Sequence, residues 1–539
     1  MHFSGTKKVF AVLLLAVIFT VMQITGYQIA VMYQTSVYQH PYIQNIGVLS
    51  GKQCVIIAVL LFSIISVGLY FFFTISESIG APKHKWNAKR GWVVWGITAI
   101  LLFGCWIPCY LAGYPGYYNY DAFSQIPQAL YDEVPYSAHH PLLHTLVMGK
   151  IIAFGYYHGT DLNDGIALYS IFQMTICAAA FAYILCYLLK NTGRKWLYAM
   201  FWCYYAFFPP IAMFAMSTTK DILFSVCLQF TVVFLYELCK DMPAFFASWW
   251  KICRFAGIVL LACLLRKNGV YAFLCIIPFV IVLYTNYWKK LILLFGTVVL
   301  LYGLADKCLV WMLHAEEGNP AEMLSIPMQQ IARVYHDYGE EAFNPQELEM
   351  LYESIDKDQL LCYNPLLADL IKNYIHYDVA WLYQREWISL WFAKGMQYPE
   401  AYVKAFLDNT YQAWYQGTSI CSTPNGEQYD YFEMNMCAGG YRDSKAPQLL
   451  EFYRKIAEEF YYQKIPIVRF FFSIGGMFMI VIYIWVFAIY QHNKPLALAM
   501  LLVLAYCGTL FLGPVSLVRY YLILYYGFPV SIGYLFVDR

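Results

Sequence analysis

Asp121 stands in GYPGYYNYDAFSQ, directly after an apolar run, and HHPLLHT (139–145) follows in the same loop. A carboxylate near a low-dielectric boundary tends toward a raised pKa unless cations or donors stabilise its charge, and it can then take a proton from a hydroxyl or amine. The plainer role for such a residue is capping the short helix AFSQIPQAL, which Asp favours. His139, His140 and His144 give three imidazoles within six residues. If a helix begins near Pro141, His140 and His144 lie at i, i+4 on one face. That pair could bind a metal with Asp121, donate to a phosphate or orient a sugar hydroxyl, or the histidines could simply face water. A divalent metal is therefore left open, and no cofactor is implied with certainty.

Cations recur at comparable depth. Lys220-Asp221 opens an apolar span, Arg266-Lys267-Asn268 occupies a tight turn between two spans, and Arg519-Tyr520 opens the last one. Each could be an ordinary terminal charge reaching for headgroups. Together they could converge on an anion, with Arg gripping phosphate oxygens in bidentate fashion and Lys acting as a point charge. Lys220, Arg266, Lys267 and Arg519, with His139 and His140, are the candidate phosphate-binding set. Gln125, His144, Asp221, Asn268 and Tyr520 are candidate supporting residues. Tyr114, Tyr117, Tyr118 and Tyr120, with Trp381, Trp387, Trp391, Trp414 and Tyr415, suit either sugar faces or a membrane interface.

These groups need a scaffold, and composition defines it. Hydrophobic residues make up 60% of the 539 and charged residues 13%, about half the charged share of a soluble domain. The chain reads as an all-α polytopic membrane protein. Twelve spans can be marked, at about 9–32, 53–75, 91–112, 164–189, 196–215, 220–239, 252–265, 268–286, 289–312, 467–490, 495–513 and 517–537. The stretch 141–157 is shorter, carries His144 and Lys150, and reads as a helix lying in the interface. With it not crossing, the basic clusters (Lys7/Lys8, Lys83 to Arg90, Lys190-Arg194-Lys195, Lys251/Arg254, Lys289/Lys290, Lys494) share one side, which the positive-inside rule makes cytoplasmic along with both termini. The first apolar run reads as an uncleaved anchor.

The organisation expected is a bundle over 1–312 with a functional outer loop at 113–157, an all-α extracellular domain over 313–466, and C-terminal transmembrane helices over 467–539. Within the middle segment, Asn344-Pro345 and Asn364-Pro365 should each start a new helix. Cys421 and Cys437 could bridge a loop at 417–446, although Cys362 leaves an odd cysteine on that side. The net charge of +1 suggests no nucleic-acid partner. No internal repeat is visible, and Asp306-Lys307 lies roughly 26 Å along its helix, near the outer surface. Carriers for polar solutes usually hold polar groups near the midplane, so this placement argues against a transporter.

NYDAFSQ followed by HHPLLHT is similar to the Asp…(His/Lys)-Pro-Pro-Leu layout of the protein O-mannosyltransferase and aminoarabinose-transferase branch of the GT-C membrane glycosyltransferases. YYNYDAFSQ, HHPLLHT, STTKDILFS, LLRKNGVYA, EMLSIPMQQIARV and PVSLVRYY together resemble a Gram-positive bacterial family of unknown function, from about residue 100 onward. The resemblance implies a GT-C-like bundle in the bacterial plasma membrane that uses a polyprenyl-phosphate sugar donor and a cell-envelope glycan, lipid or protein as acceptor. Asp121 would be the base, His139 and His140 would line the donor site, and Lys220, Arg266 and Arg519 would hold the lipid phosphate. The mannosyltransferase branch often shows two adjacent acids in this loop. Here Tyr120 precedes Asp121, and Asp132-Glu133 come eleven residues later. A polysaccharide polymerase or ligase, or a lipid-linked-sugar flippase, are the competing readings.

Overall fold

The computed structural model describes residues 2–34, 48–79, 88–318, 324–417, 443–458 and 465–537. Those residues are overwhelmingly helical, and no strand is present among them beyond two isolated bridges. Cys421 and Cys437 lie outside the described residues, so their pairing is not addressed.

Among the described residues, six helices are long and apolar enough to cross a membrane: Gly5–Tyr33, Gly51–Ser78, Gly91–Ala112, Leu162–Thr192, Lys220–Lys240 and Thr285–Leu313. A seventh crossing is available if Pro466–Phe472 and Ile474–Tyr490, bent by 77° at Ser473, act as one. This makes the chain a multi-pass helical membrane protein. Trp249–Leu265, Lys267–Leu283 and Lys494–Leu510 have 17 residues each, at the short end for a span. Besides the 467–490 span broken at Ser473, two further expected spans are not continuous helices. Lys195–Phe207 ends before Pro209-Pro210 and Pro209–Phe214 starts anew, since proline offers no donor to the preceding turn. The last segment is a chain of short pieces, Val518–Tyr521, Leu522–Tyr526 and Phe528–Gly533, interrupted around Gly527 and Pro529. The 141–157 stretch forms its own helix, Leu142–His158. It crosses Leu162–Thr192 so closely that a Cβ on Gly155 would meet Gly165 at 2.6 Å.

Residues 328–402 build a second, smaller core from Ile331, Leu351, Ile355, Ile371, Leu390 and neighbours. Asn344 starts the Pro345–Ser354 helix as expected, with a complete capping box to Glu347. Asn364-Pro365 does not start a helix. Asn364 instead accepts from the Leu366 amide in a turn. The helix Pro399–Trp414 belongs to both cores, Ala401 and Tyr402 packing in the small one and Tyr411 to Trp414 in the large one. At this seam the buried Arg333 donates to Asp408 at 3.0 Å, to Asp337 at 2.6 Å and to Tyr33 of the N-terminal helix at 3.2 Å.

Candidate functional site

The Asp121 loop and the STTKD turn are zipped together by backbone pairing. Tyr117 N donates to Met216 O at 3.1 Å, Thr218 N to Tyr117 O at 2.9 Å, and Asn119 N to Thr218 Oγ1 at 2.9 Å. Gly116 permits the approach. Its φ of +136° suits glycine, and a Cβ there would run into Ser170 and the Met216 carbonyl. The pairing sets Asp121, in the first turn of Tyr120–Gln125, beside Lys220, the first residue of Lys220–Lys240. Thr219 caps that helix. A lysine at a helix N-terminus opposes the macrodipole, so Lys220 sits there against local preference and is held by tertiary partners.

Those partners form one buried charge cluster. Lys220 Nζ is ion-paired with Asp121 and donates to His140 Nδ1 at 3.2 Å. Arg519 Nη1 lies 3.1 Å from Asp121 Oδ2 and 3.7 Å from Asp221 Oδ2, and donates to Thr219 Oγ1 at 3.3 Å. Arg266 is ion-paired with Asp221. Both guanidiniums lie over the Tyr520 ring, Arg266 at 4.7 Å and Arg519 at 4.8 Å from its centre. Side-chain exposure is 13% for Asp121 and Lys220, 9% for Arg266, 4% for Arg519 and 1% for Asp221. Three cations against two carboxylates leave an excess of one positive charge out of water.

The electrostatics revise the expectation for Asp121. Burial alone pushes its carboxyl up, but Arg519 and Lys220 outweigh burial and hold it well below the ordinary carboxylate range. Ion-paired in this way, it is a poor proton acceptor. Burial, aided by Lys220, pushes His140 down to about 2. Its imidazole is therefore neutral and serves as an acceptor for Lys220.

A second layer holds this cluster. Gln125, one turn after Asp121, donates through Nε2 to Thr145 Oγ1 at 2.7 Å and faces His144 Nδ1 at 3.3 Å. His144 Nε2 meets Tyr169 OH at 3.2 Å, Tyr169 donates to Gln173 Oε1 at 2.9 Å, and Gln173 Nε2 donates to the carbonyls of Ala215 and Ser217. Because the Tyr169 hydrogen goes to Gln173, its oxygen must accept from His144. His144 thus carries its proton on Nε2, and burial pushes its pKa down to about 3. The relay ties the Asp121 helix to the turn before Lys220.

Asp121, His140, Lys220, Asp221, Arg266, Arg519 and Tyr520 thus come together, with Gln125 and His144 behind them. His139 is exposed at the rim, edge-on to His140 at 4.7 Å. Lys267 points away from the cluster, donating to Ala138 O at 3.1 Å and bracing the histidine loop. Asn268 reaches Thr509 at 3.2 Å, tying two helices. Arg266 is the extended residue before the helix and Lys267 and Asn268 open it, about 100° apart around its axis, so the RKN run does not send all three side chains one way. Asp132 and Glu133 are exposed. Tyr117 and Tyr118 are buried, and Trp387 and Trp391 donate to Ser354 and Gln330 inside the small core, so these aromatics serve packing. A metal fits the donor set poorly. Both carboxylates are ion-paired, His140 accepts from Lys220, and His144 faces the relay. Among the described residues no three His, Cys, Asp or Glu side chains come together as a metal site. Sequence reasoning missed Thr219, Tyr169 and Gln173. The signal for the last two was a pair of polar residues four apart inside an apolar span.

Fold and site together define a multi-pass helical membrane protein with a buried, cation-rich cluster at the end of its helices. The chain belongs to a family of unknown function (DUF6020), which it matches over residues 131–535. The match includes His140, Lys220, Asp221, Arg266 and Arg519 and begins after Asp121. No curated protein and no solved structure matches the chain.

Proposed function

We propose that the protein is a membrane glycosyltransferase that moves a sugar from a polyprenyl-phosphate-linked donor to a cell-envelope acceptor. In this reading it lies in the bacterial plasma membrane with about twelve crossings, both termini cytoplasmic, and the charge cluster and the 324–414 helices on the outer side. The observation that carries the reading is the excess positive charge, buried beside a carboxylate of low proton affinity. An uncompensated buried charge is costly, and a phosphodiester anion would balance it. Acceptor oxygen attack on the anomeric carbon would pass its proton to Asp121. The carbon–oxygen bond to phosphate would break, with its electron pair leaving on the lipid phosphate. Lys220 and Arg519 would stabilise the second negative charge that develops there. A tail site is also at hand. An apolar cavity of about 620 Å³, lined by Met200, Phe208, Ile467, Phe471 and Phe528 among others, borders the final segment nine residues beyond Arg519.

The test is mass spectrometry of the cell envelope from a deletion strain, complemented with wild type or Asp121→Asn. The expected outcome is loss of one glycan modification, restored by wild type alone. Restoration by both would remove Asp121 from the chemistry and favour a carrier.

A further inference from the structure

The cations available to a phosphate at this site are the ones already holding Asp121. Lys220 Nζ is paired with Asp121 and has His140 as its other partner. Arg519 divides its guanidinium between Asp121, at 3.1 and 3.3 Å, and Asp221, at 3.7 Å. Arg266 is committed to Asp221 and stacked on Tyr520. A phosphate oxygen that enters hydrogen-bond range of Lys220 and Arg519 must therefore compete with the Asp121 carboxylate for the same protons. The competition takes place where charges are screened weakly, because all five charged side chains are at most 13% exposed.

We propose that the donor arms its own base: a phosphate that draws Lys220 and Arg519 onto itself strips Asp121 of its ion pairs and converts it from salt-bridge partner to proton acceptor. This rests on the anion-site reading above and adds an order to it. Before the donor binds, Asp121 is masked and cannot take a proton from an acceptor. After it binds, the cluster carries three cations against three anions. The carboxylate then keeps His140 and the donor sugar as its polar surroundings, and its proton affinity rises as the acceptor hydroxyl arrives. Binding is donor first, acceptor second. Each charge has a task at both stages: Asp221 anchors Arg266 and Arg519 throughout, and only Lys220 and the Asp121-facing side of Arg519 change partner.

The test is a pH titration of Asp121 in the full-length protein in nanodiscs, by infrared difference spectroscopy of its carboxylic C=O band. The band is assigned by its loss in Asp121→Asn and, independently, by its displacement on carbon-13 aspartate labelling of the wild type. The probes are farnesyl phosphate and inorganic phosphate, with binding of each measured separately by calorimetry. The expected midpoint rises by about one pH unit or more on saturation with farnesyl phosphate, a tenfold gain in proton affinity. Ligand-free Lys220→Met should show a rise in the same direction. If phosphate binds and the midpoint stays or falls, the arming proposal is overturned and the anion site stands. If neither phosphate binds, or if binding is undiminished in both Lys220→Met and Arg519→Met, the anion-site reading itself is overturned.

Discussion

Replacing Asp221 by Asn keeps the side chain's size and removes one charge from the bottom of the cluster. Asp221 is 1% exposed and faces Arg266 and Arg519, themselves 9% and 4% exposed. Deleting one member of a buried pair costs about 3–5 kcal/mol because the remaining charge is left out of water without a counter-ion. Here Arg266 keeps its contact with the Tyr520 ring, worth about 2 kcal/mol when desolvated, and Arg519 keeps Asp121. The expected loss is therefore at the lower end, about 3 kcal/mol. The same substitution raises the cluster's excess from one positive charge to two, so phosphate should bind at least about tenfold tighter, or 1.4 kcal/mol. Stability and anion affinity are thus expected to move in opposite directions. Denaturant unfolding in detergent and calorimetry with farnesyl phosphate measure the two. Arg266→Met added to Asp221→Asn should recover most of the lost stability, giving a coupling above about 2 kcal/mol when set against the two single variants. A stability change below about 1 kcal/mol, or an affinity that falls along with stability, would refute the account of the cluster as a charged site short of an anion.

Three further outcomes follow from the packing around the cluster. Tyr169→Phe leaves His144 Nε2 and Gln173 Oε1 without their partner in a dry site and should cost about 1–3 kcal/mol while weakening phosphate binding, measured by the same pair of assays. Gly116→Ala sets a Cβ at φ +136° against Ser170 and Met216; loss of about 1–3 kcal/mol and failure of Lys220→Met to change phosphate affinity further in that background would show that the pairing positions Lys220. His144 is neutral in the fold with its pKa pushed down to about 3, so between that value and the unfolded value near 6.5 the unfolded chain binds the extra proton and stability falls as pH falls. From pH 6.5 to 5 the loss from this one group should be about 1.6 kcal/mol, and unfolding curves of His144→Gln should be shallower by that amount.

The convergence of Asp121, Lys220, Asp221, Arg266 and Arg519 was legible because charges beside apolar spans stand out at 13% charged residues overall. Their partnering was not. Sequence left Asp121 between a base and a helix cap and named no cation for it, whereas the backbone pairing of 117–119 with 216–218 brings Lys220 onto it. The helix ends at Phe207 and Phe472 were under-read because hydropathy sums over a break that Pro209 or the Ser473 cap imposes on the backbone. Lys267 and Asn268 were grouped with Arg266 by adjacency alone, and helix geometry sent them to Ala138 and Thr509.

The distribution of charge along Lys220–Lys240 bears on what kind of machine this is. Lys220 and Asp221 open the helix, and the next charged residue is Glu237, sixteen positions on, roughly 24 Å at 1.5 Å per residue. The polar group between them in mid-helix that reaches across the bundle is Gln229, donating to Tyr205 OH at 2.9 Å and to the Tyr526 carbonyl. It makes a neutral, interlocked crossing point. Tyr205 also donates to Tyr526 O at 2.7 Å, and Phe181 stacks on the Tyr205 ring at 4.4 Å. A carrier that exposes one site alternately to both sides must let its binding groups part and re-form near the membrane centre. Here the mid-bundle is stitched by aromatic stacking and buried hydrogen bonds, while the groups that can exchange partners sit at one end. That division suits a rigid bundle presenting a charge-switched site to a single face, which is what transfer from a membrane-anchored donor requires.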